Sequence, residues 1–255
     1  MHDLQKASML KRISAYLFDL ILLMVAISGA AFALSAILGF VNHFDKYEAI
    51  TDKYLNEYGI TLTDEEYSQL SDEQKVAYDK QCEEADKAFA EDEEANNLFL
   101  LLISQSLLIV SISILIGMIA LEFVVPLIFG NGQTLGKKIF GIAVMYVNST
   151  RLTTFGLFVR TVLGKYTVET MIPVFIILMI IFGQSTVVGF AVLLVIFALQ
   201  IILLATSGTN TVLHDKISST VAVDMQSQMI FESVEEMMEY KQRIHKEAAE
   251  KKPYF

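Results

Sequence analysis

Residues 98–129 read LFLLLISQSLLIVSISILIGMIALEFVVPLIF, a run of 32 residues in which Glu122 is the one charge. As a helix rising about 1.5 Å per residue it would be about 48 Å long, more than the roughly 30 Å of a bilayer's hydrocarbon core. That run makes this a membrane protein, and part of it must project into water.

Two further stretches follow the same rule. Residues 13–40, ISAYLFDLILLMVAISGAAFALSAILGF, carry only Asp19 and are too long for the apolar core of a signal peptide, so they read as a retained span. Residues 170–213 hold no charge for 44 positions, and Gly183-Gln184-Ser185-Thr186 is the polar break at which they can turn. The expectation is a short helix over residues 171–182 and a full-length one over 187–206. The predicted fold is all-α, with four transmembrane helices.

The whole-chain charge of -10 hides where it sits. Between residues 42 and 96 there are 17 acidic and 5 basic residues, a net of -12, which leaves +2 for the rest and excludes a nucleic-acid binder. One cysteine, Cys82, excludes a disulfide framework, and no cofactor or metal site is expected. Lys6, Lys11, Arg12, Lys137, Lys138, Arg151, Arg160 and Lys165 all fall on one side of a four-helix topology. By the positive-inside rule that side is cytoplasmic. Both termini are then cytoplasmic, and residues 42–97 lie outside.

The chain divides into residues 1–41 (N-terminus and first helix), 42–97 (external acidic insert), 98–223 (the remaining helices) and 224–255 (cytoplasmic helical tail). Within the insert, Thr63 to Glu66 and Ser71 to Gln74 are capping boxes, and Tyr47, Ile50, Tyr54 and Tyr58 form an apolar stripe. A helical hairpin is expected, with residues 72–96 running on into the second span as a rod. No calcium-loop spacing occurs, so a solvated acidic face is the plainer use of its carboxylates. In the tail, Ser233 and Glu236 form a capping box ahead of a weak stripe from Phe231 to Met238 that suits the protein's own body or a partner.

The loop Gly130-Asn131-Gly132-Gln133-Thr134-Leu135-Gly136-Lys137-Lys138 fails the phosphate-loop patterns: Asn131 and Lys138 stand where a Walker loop needs Gly and Ser or Thr. After it, residues 139–147 are a short apolar run. Thr153 and Thr154 can then cap a cationic helix bearing Arg160 and Lys165, expected along the inner headgroups.

Arg12-Ile13-Ser14-Ala15-Tyr16-Leu17-Phe18-Asp19, the Gly132–Lys138 loop, and Leu213-His214-Asp215-Lys216 followed by Thr220-Val221-Ala222-Val223 together resemble the RDD family. The resemblance places its arginine and two aspartates at Arg12, Asp19 and Asp215, with Gly132, Gln133, Thr134, Gly136 and Lys137 as the motif loop. It covers the body and leaves out the insert and the tail. It implies a small protein of a prokaryotic plasma membrane with a part in transport, and sodium-for-proton exchange is reported for a subgroup.

Seven residues put Asp19 two turns below Arg12 on one helix face. The expectation is that Arg12 pairs with Asp215 at the inner rim, while Asp19 meets the Gly-rich loop or Lys137. A carboxylate facing lipid at depth would cost about 2.5–3.5 kcal/mol, so Asp19 should face inward. Glu122 lies at similar depth. Facing one cavity, Asp19 and Glu122 would be a coupled acidic pair able to exchange a proton for a cation; the plain alternative is that each is neutralised by a basic neighbour.

The function expected is therefore a cation or proton-coupled transporter, handling monovalent cations and protons among membrane lipid, with a homo-oligomer expected to enclose a path. The alternative is a non-transporting scaffold or sensor whose external hairpin and tail bind protein partners. An enzyme is not expected, because His2, His43, His214 and His245 are scattered and no hydrolytic motif organises them.

Overall fold

The computed structural model describes residues 4–181, 187–208 and 211–250, so the expected turn at 183–186 lies outside the described residues. Four helices are long and apolar enough to cross a membrane: α1 (Met9–Leu38), α5 (Glu93–Phe129), α7 (Thr154–Ile180) and α8 (Val187–Thr206). Shorter helices α2 (Phe40–Glu57), α3 (Asp64–Ser68) and α4 (Asp72–Ala90) precede α5. Helix α6 (Leu135–Ile139) follows α5, α9 (Leu213–Ile217) follows α8, and α10 (Val234–Glu250) ends the described chain.

The protein is mostly helical, but not all-α. Strands β1 (Ile142–Tyr146) and β2 (Thr220–Asp224) pair antiparallel, with Ile142 opposite Asp224 and Tyr146 opposite Thr220. Both faces of this sheet are covered. Ile142 and Ala222 pack with Ala7 and Ala15, while Ala143, Met145, Val221 and Val223 pack with Leu4 and Ile230. Burial on both faces replaces the apolar-polar alternation of a half-exposed strand with a short continuous apolar run.

The third span also differs from expectation. In place of a short helix over 171–182 after a surface helix, α7 runs unbroken from Thr154, capped by the Thr153 hydroxyl, which accepts from the Gly156 N–H at 3.1 Å. Arg160 does not face headgroups; it is 4% exposed. Satisfied by partners on other elements, its charge can sit within the helix bundle.

The molecule divides into two compact units, residues 28–113 and residues 1–27 with 114–255. In the first, Gly39 takes a left-handed conformation (φ 63°) that separates α1 from α2. The two capping boxes form as expected, with the Thr63 N–H donating to Glu66 at 2.9 Å and the Ser71 N–H donating to Gln74 at 3.0 Å. Tyr47 and Tyr54 of the stripe meet the Phe89 ring edge-on, and the Tyr54 hydroxyl donates to Asp92 at 3.0 Å. The expected rod is broken there: α4 stops at Ala90, and Asp92 starts α5 anew by accepting from the Ala95 N–H at 2.9 Å. In the second unit, Phe231 bridges to Thr150 and meets the Tyr240 ring at a tilt of 49°, and Met237 is buried, so the tail packs on this unit.

Candidate functional site

The site lies wholly in the second unit, where α1, α5, α7 and the loops at one end of the spans converge. Helices α5 and α7 each widen from α to π geometry there, over Ile119–Val124 and Val159–Met171. The first carries Glu122; the second carries Arg160, Lys165 and Glu169. A wide turn frees carbonyls for other donors and is frequent at functional positions. One freed group is visible, since the Glu122 carbonyl accepts from the Thr161 hydroxyl at 2.9 Å.

Asp19 meets the Gly-rich loop. Its Oδ1 accepts from the Gly136 N–H at 2.7 Å, and its Oδ2 accepts from the Thr134 hydroxyl. Gly136 is required by closeness: a Cβ there would strike the Ala15 carbonyl and stand 2.9 Å from the Asp19 carboxylate. Thr134 caps α6, and its Oγ1 accepts from the Lys137 N–H at 3.4 Å and from the Lys137 Nζ at 3.2 Å. Gln133 is buried, donating to the Ile142 carbonyl at 2.8 Å and to the Met225 sulfur at 3.2 Å. Gly132 holds φ 60° with Val144 at 3.0 Å from any added Cβ, so the loop is pinned to β1.

Asp19 and Glu122 line one cavity without touching. Glu122 Oε2 is 2.5 Å from Lys165 Nζ and 4.0 Å from Lys137 Nζ. The expected bare acidic pair is thus a chain, Asp19–Thr134–Lys137–Glu122–Lys165. Burial, the largest influence, pushes the Lys137 ammonium down to about 8; the Glu122 charge opposes this, and Lys165 and Arg160 add to it.

Asp215 is 1% exposed, and its nearest cation is Arg160, in direct ion-pair contact. Arg12, the expected partner, stands at 3.9 Å. Arg160 also donates to the Thr220 hydroxyl at 2.5 Å, tying α7 to β2. Burial works against the Asp215 charge, yet Arg160 and then His214 outweigh it and hold the carboxyl well below the usual range.

His214 stands between two fixed partners. Its Nε2 is 2.9 Å from Arg160 Nη2, and its Nδ1 is 2.8 Å from Glu169 Oε2. A guanidinium only donates, so Nε2 must accept and the proton must sit on Nδ1, pointing at Glu169. Burial and then Arg160 push this imidazole below its ordinary value, consistent with the neutral tautomer. Its backbone N–H also donates to Glu169 at 2.8 Å, and Gly164 leaves the room: a Cβ there would lie 2.7 Å from the His214 Cβ.

The cavity joining these groups has a volume of about 400 Å³. Its floor carries four cations (Arg12, Lys137, Arg160, Lys165) and four carboxylates (Asp19, Glu122, Glu169, Asp215), so with neutral His214 it is balanced. Among the described residues no group of His, Cys, Asp and Glu is arranged to hold a metal ion. Sequence reasoning placed Arg160 and Lys165 on a surface helix and passed over Glu169. The available signal was their spacing: a helix started at Thr154 puts all three charges inside a span, where ionisable residues are functional by default.

Compared with curated proteins and with solved structures, the chain finds no match. Compared with protein-family models, residues 6–219 match the RDD family, a stretch that runs from the N-terminal segment bridging β2 to the turn before it and takes in every charged residue of the cavity. The chain belongs to the RDD family.

Proposed function

We propose that this membrane protein is a cation or proton-coupled transporter that exchanges a monovalent cation for a proton at Asp19 and Glu122. One observation carries the reading: carboxylates from two different spans, each within membrane depth, line a single cavity and are linked through Thr134 and Lys137. A cation arriving at such a chain competes with the ammonium groups already there, and a proton lost from Lys137 removes one competitor. Membership of the RDD family supports a part in transport. The basic residues on the side of the Gly-rich loop support a prokaryotic plasma-membrane orientation with both termini cytoplasmic and residues 42–97 outside. Four helices enclose little space, so the working form is a homo-oligomer.

The test is flux in proteoliposomes holding a pH-sensitive dye, with sodium, lithium, potassium or calcium added against an imposed proton gradient. The expected result is cation-dependent dissipation that falls to the protein-free background in both Asp19→Asn and Glu122→Gln. Unchanged flux in both variants, or none in the parent chain, would sink the reading.

A second reading, a scaffold or sensor, draws on one observation: residues 28–113 form a compact unit of their own, a folded hairpin that a bare exchange site does not require. It predicts a basic protein partner captured by the parent chain and lost when residues 42–96 are removed.

A further inference from the structure

Most of the tail's hold on the second unit is apolar packing, but one polar contact reaches the Gly-rich loop. Arg151 lies between the two. Its Nε donates to the Gly130 carbonyl at 2.7 Å, and its Nη1 donates to both carboxylate oxygens of Glu232, at 2.9 and 2.7 Å. Gly130 is where α5 ends and the loop begins, with φ 80°, and its missing side chain makes the contact possible, because a Cβ there would strike the Arg151 guanidinium. The chain Gly130–Arg151–Glu232 therefore joins the loop that holds Asp19 to the start of the tail helix.

Local sequence sets the tail's end of this chain. The Phe231 N–H donates to the Ser149 carbonyl at 3.0 Å, and the Phe231 carbonyl accepts from the Arg151 N–H at 2.8 Å. Residues 151 and 232 are thereby neighbours through the backbone alone. One step on, the start of α10 fixes Glu232: its N–H donates to Glu236 Oε2 at 2.8 Å, while the Glu236 N–H donates to the Ser233 hydroxyl at 3.1 Å. The ion pair that results sets one nitrogen against two oxygens, short of the two-nitrogen fork that makes the strongest arginine–carboxylate pairs.

Its weakness is what makes this contact a switch. The Arg151 side chain is 40% exposed and the Glu232 side chain 70%. Arg151 also lines two surface clefts, of about 450 Å³ and about 380 Å³, through which water and ions reach it. Exposed pairs shift an equilibrium by about two- to fivefold and fade with salt, as the screening length falls from about 10 Å at 0.1 M to about 3 Å at 1 M. The pairs inside the cavity, Arg160–Asp215 and Glu122–Lys165, have side chains at most 15% exposed and are screened much less. Salt therefore acts selectively. We propose that the Arg151–Glu232 pair is an ionic-strength-sensitive latch: closed, it lets the tail hold the start of the Gly-rich loop, and opened by salt, it slackens that loop and with it the two donors on Asp19. Glu232 lies beyond the stretch 6–219 that matches the RDD family, so the latch is fitted to the family's body from outside it. The proposal goes beyond the exchange reading, and amide exchange tests it whether or not ions cross the membrane.

The experiment is hydrogen–deuterium exchange read by mass spectrometry on the full chain in detergent, in about 0.1 M and about 1 M sodium chloride. An unstructured reference peptide corrects for the effect of salt on intrinsic exchange. In the parent, the amides of residues 131–137 should exchange about threefold faster at the higher salt, because the opening equilibrium that governs them shifts. Glu232→Ala should show the faster rate already at low salt and gain nothing from more salt. Arg151→Gln, which breaks the chain on the loop side as well, should be at least as fast. Residues 142–146 of β1 should exchange at the parent's rate throughout, which marks the fold as intact. A loop at the parent's rate in Glu232→Ala, a salt response that survives in Glu232→Ala, or a β1 that loosens along with the loop overturns the proposal. Fast exchange confined to Arg151→Gln does so too, because Arg151 would then hold the loop without the tail.

Discussion

At the scale of single residues, His214 carries the clearest pH signature. Its ring is held neutral by burial and by Arg160, with Nδ1–H on Glu169 at 2.8 Å and Nε2 accepting from Arg160. The other charged groups facing it are Asp215, 3.8 Å from Nε2, and Lys165. The folded-state pKa lies below the unfolded value of about 6.5, so between the two the unfolded chain binds the extra proton. Stability is therefore full above about pH 6.5 and is lost as pH falls toward the folded value, by at most about 1.4 kcal/mol per pH unit for one group. In detergent the melting temperature of the parent should fall between about pH 7 and about pH 5. In His214→Asn, whose amide keeps a donor toward Glu169 and loses the acceptor for Arg160, the profile should be lower and flat across that window. An Asn variant that keeps the parental slope would place the titrating group elsewhere.

At the scale of elements, the fit of α9 against the wide part of α7 depends on one missing atom. A Cβ on Gly164 would stand 2.7 Å from the His214 Cβ and 3.0 Å from its Cα, closer than packed carbons approach. Gly164→Ala should cost about 1–3 kcal/mol through overpacking and should loosen the Arg160–His214–Glu169 alignment, lowering the melting temperature and any flux together. Gly29→Ala is the control, because nothing lies within 4 Å of a Cβ there, and alanine is the better helix former by about 1 kcal/mol. A Gly164→Ala protein as stable as the parent would refute the close packing of α9. The same comparison shows why some elements were legible in the sequence and others were not. The spans α1, α5 and α8 announce themselves by unbroken apolarity, and the caps of α3 and α4 by local chemistry three residues wide. Helix α7 hides because Arg160, Lys165 and Glu169 interrupt its apolar run, and the hydrogen-bond partners that satisfy Arg160 stand 54–60 positions away. The strands hide because burial on both faces erases their alternation. Asp19 reaching the Gly-rich loop was legible from helix geometry alone; Arg160 displacing Arg12 as the nearest partner of Asp215 was not, since nothing local distinguishes the two arginines.

At the scale of the whole molecule, the two units differ in what they spend their charges on. The second unit buries opposite charges against each other around a cavity, while the hairpin between α1 and α5 carries 17 acidic against 5 basic residues on a largely solvated surface. The contacts that fold the hairpin, Tyr47 and Tyr54 on Phe89 and the Tyr54 hydroxyl on Asp92, begin and end within residues 28–113. Every charged residue lining the cavity belongs to the other unit. Replacing residues 42–96 by a Gly/Ser linker of about ten residues, flexible enough to adopt many spans, should therefore leave the Arg160–Asp215 and Glu122–Lys165 pairs in place. Subtracting the segment's -12 from the chain's -10 leaves +2, so the shortened protein should migrate as a weakly basic species while keeping the acid-side melting slope of His214. Flux, if the parent shows it, should be retained within about threefold, since under about 0.7 kcal/mol separates rates that close. Loss of the His214 slope in a protein that still inserts would mean that the hairpin shapes the cavity; retention of the slope with a basic partner lost would favour the sensor reading over exchange.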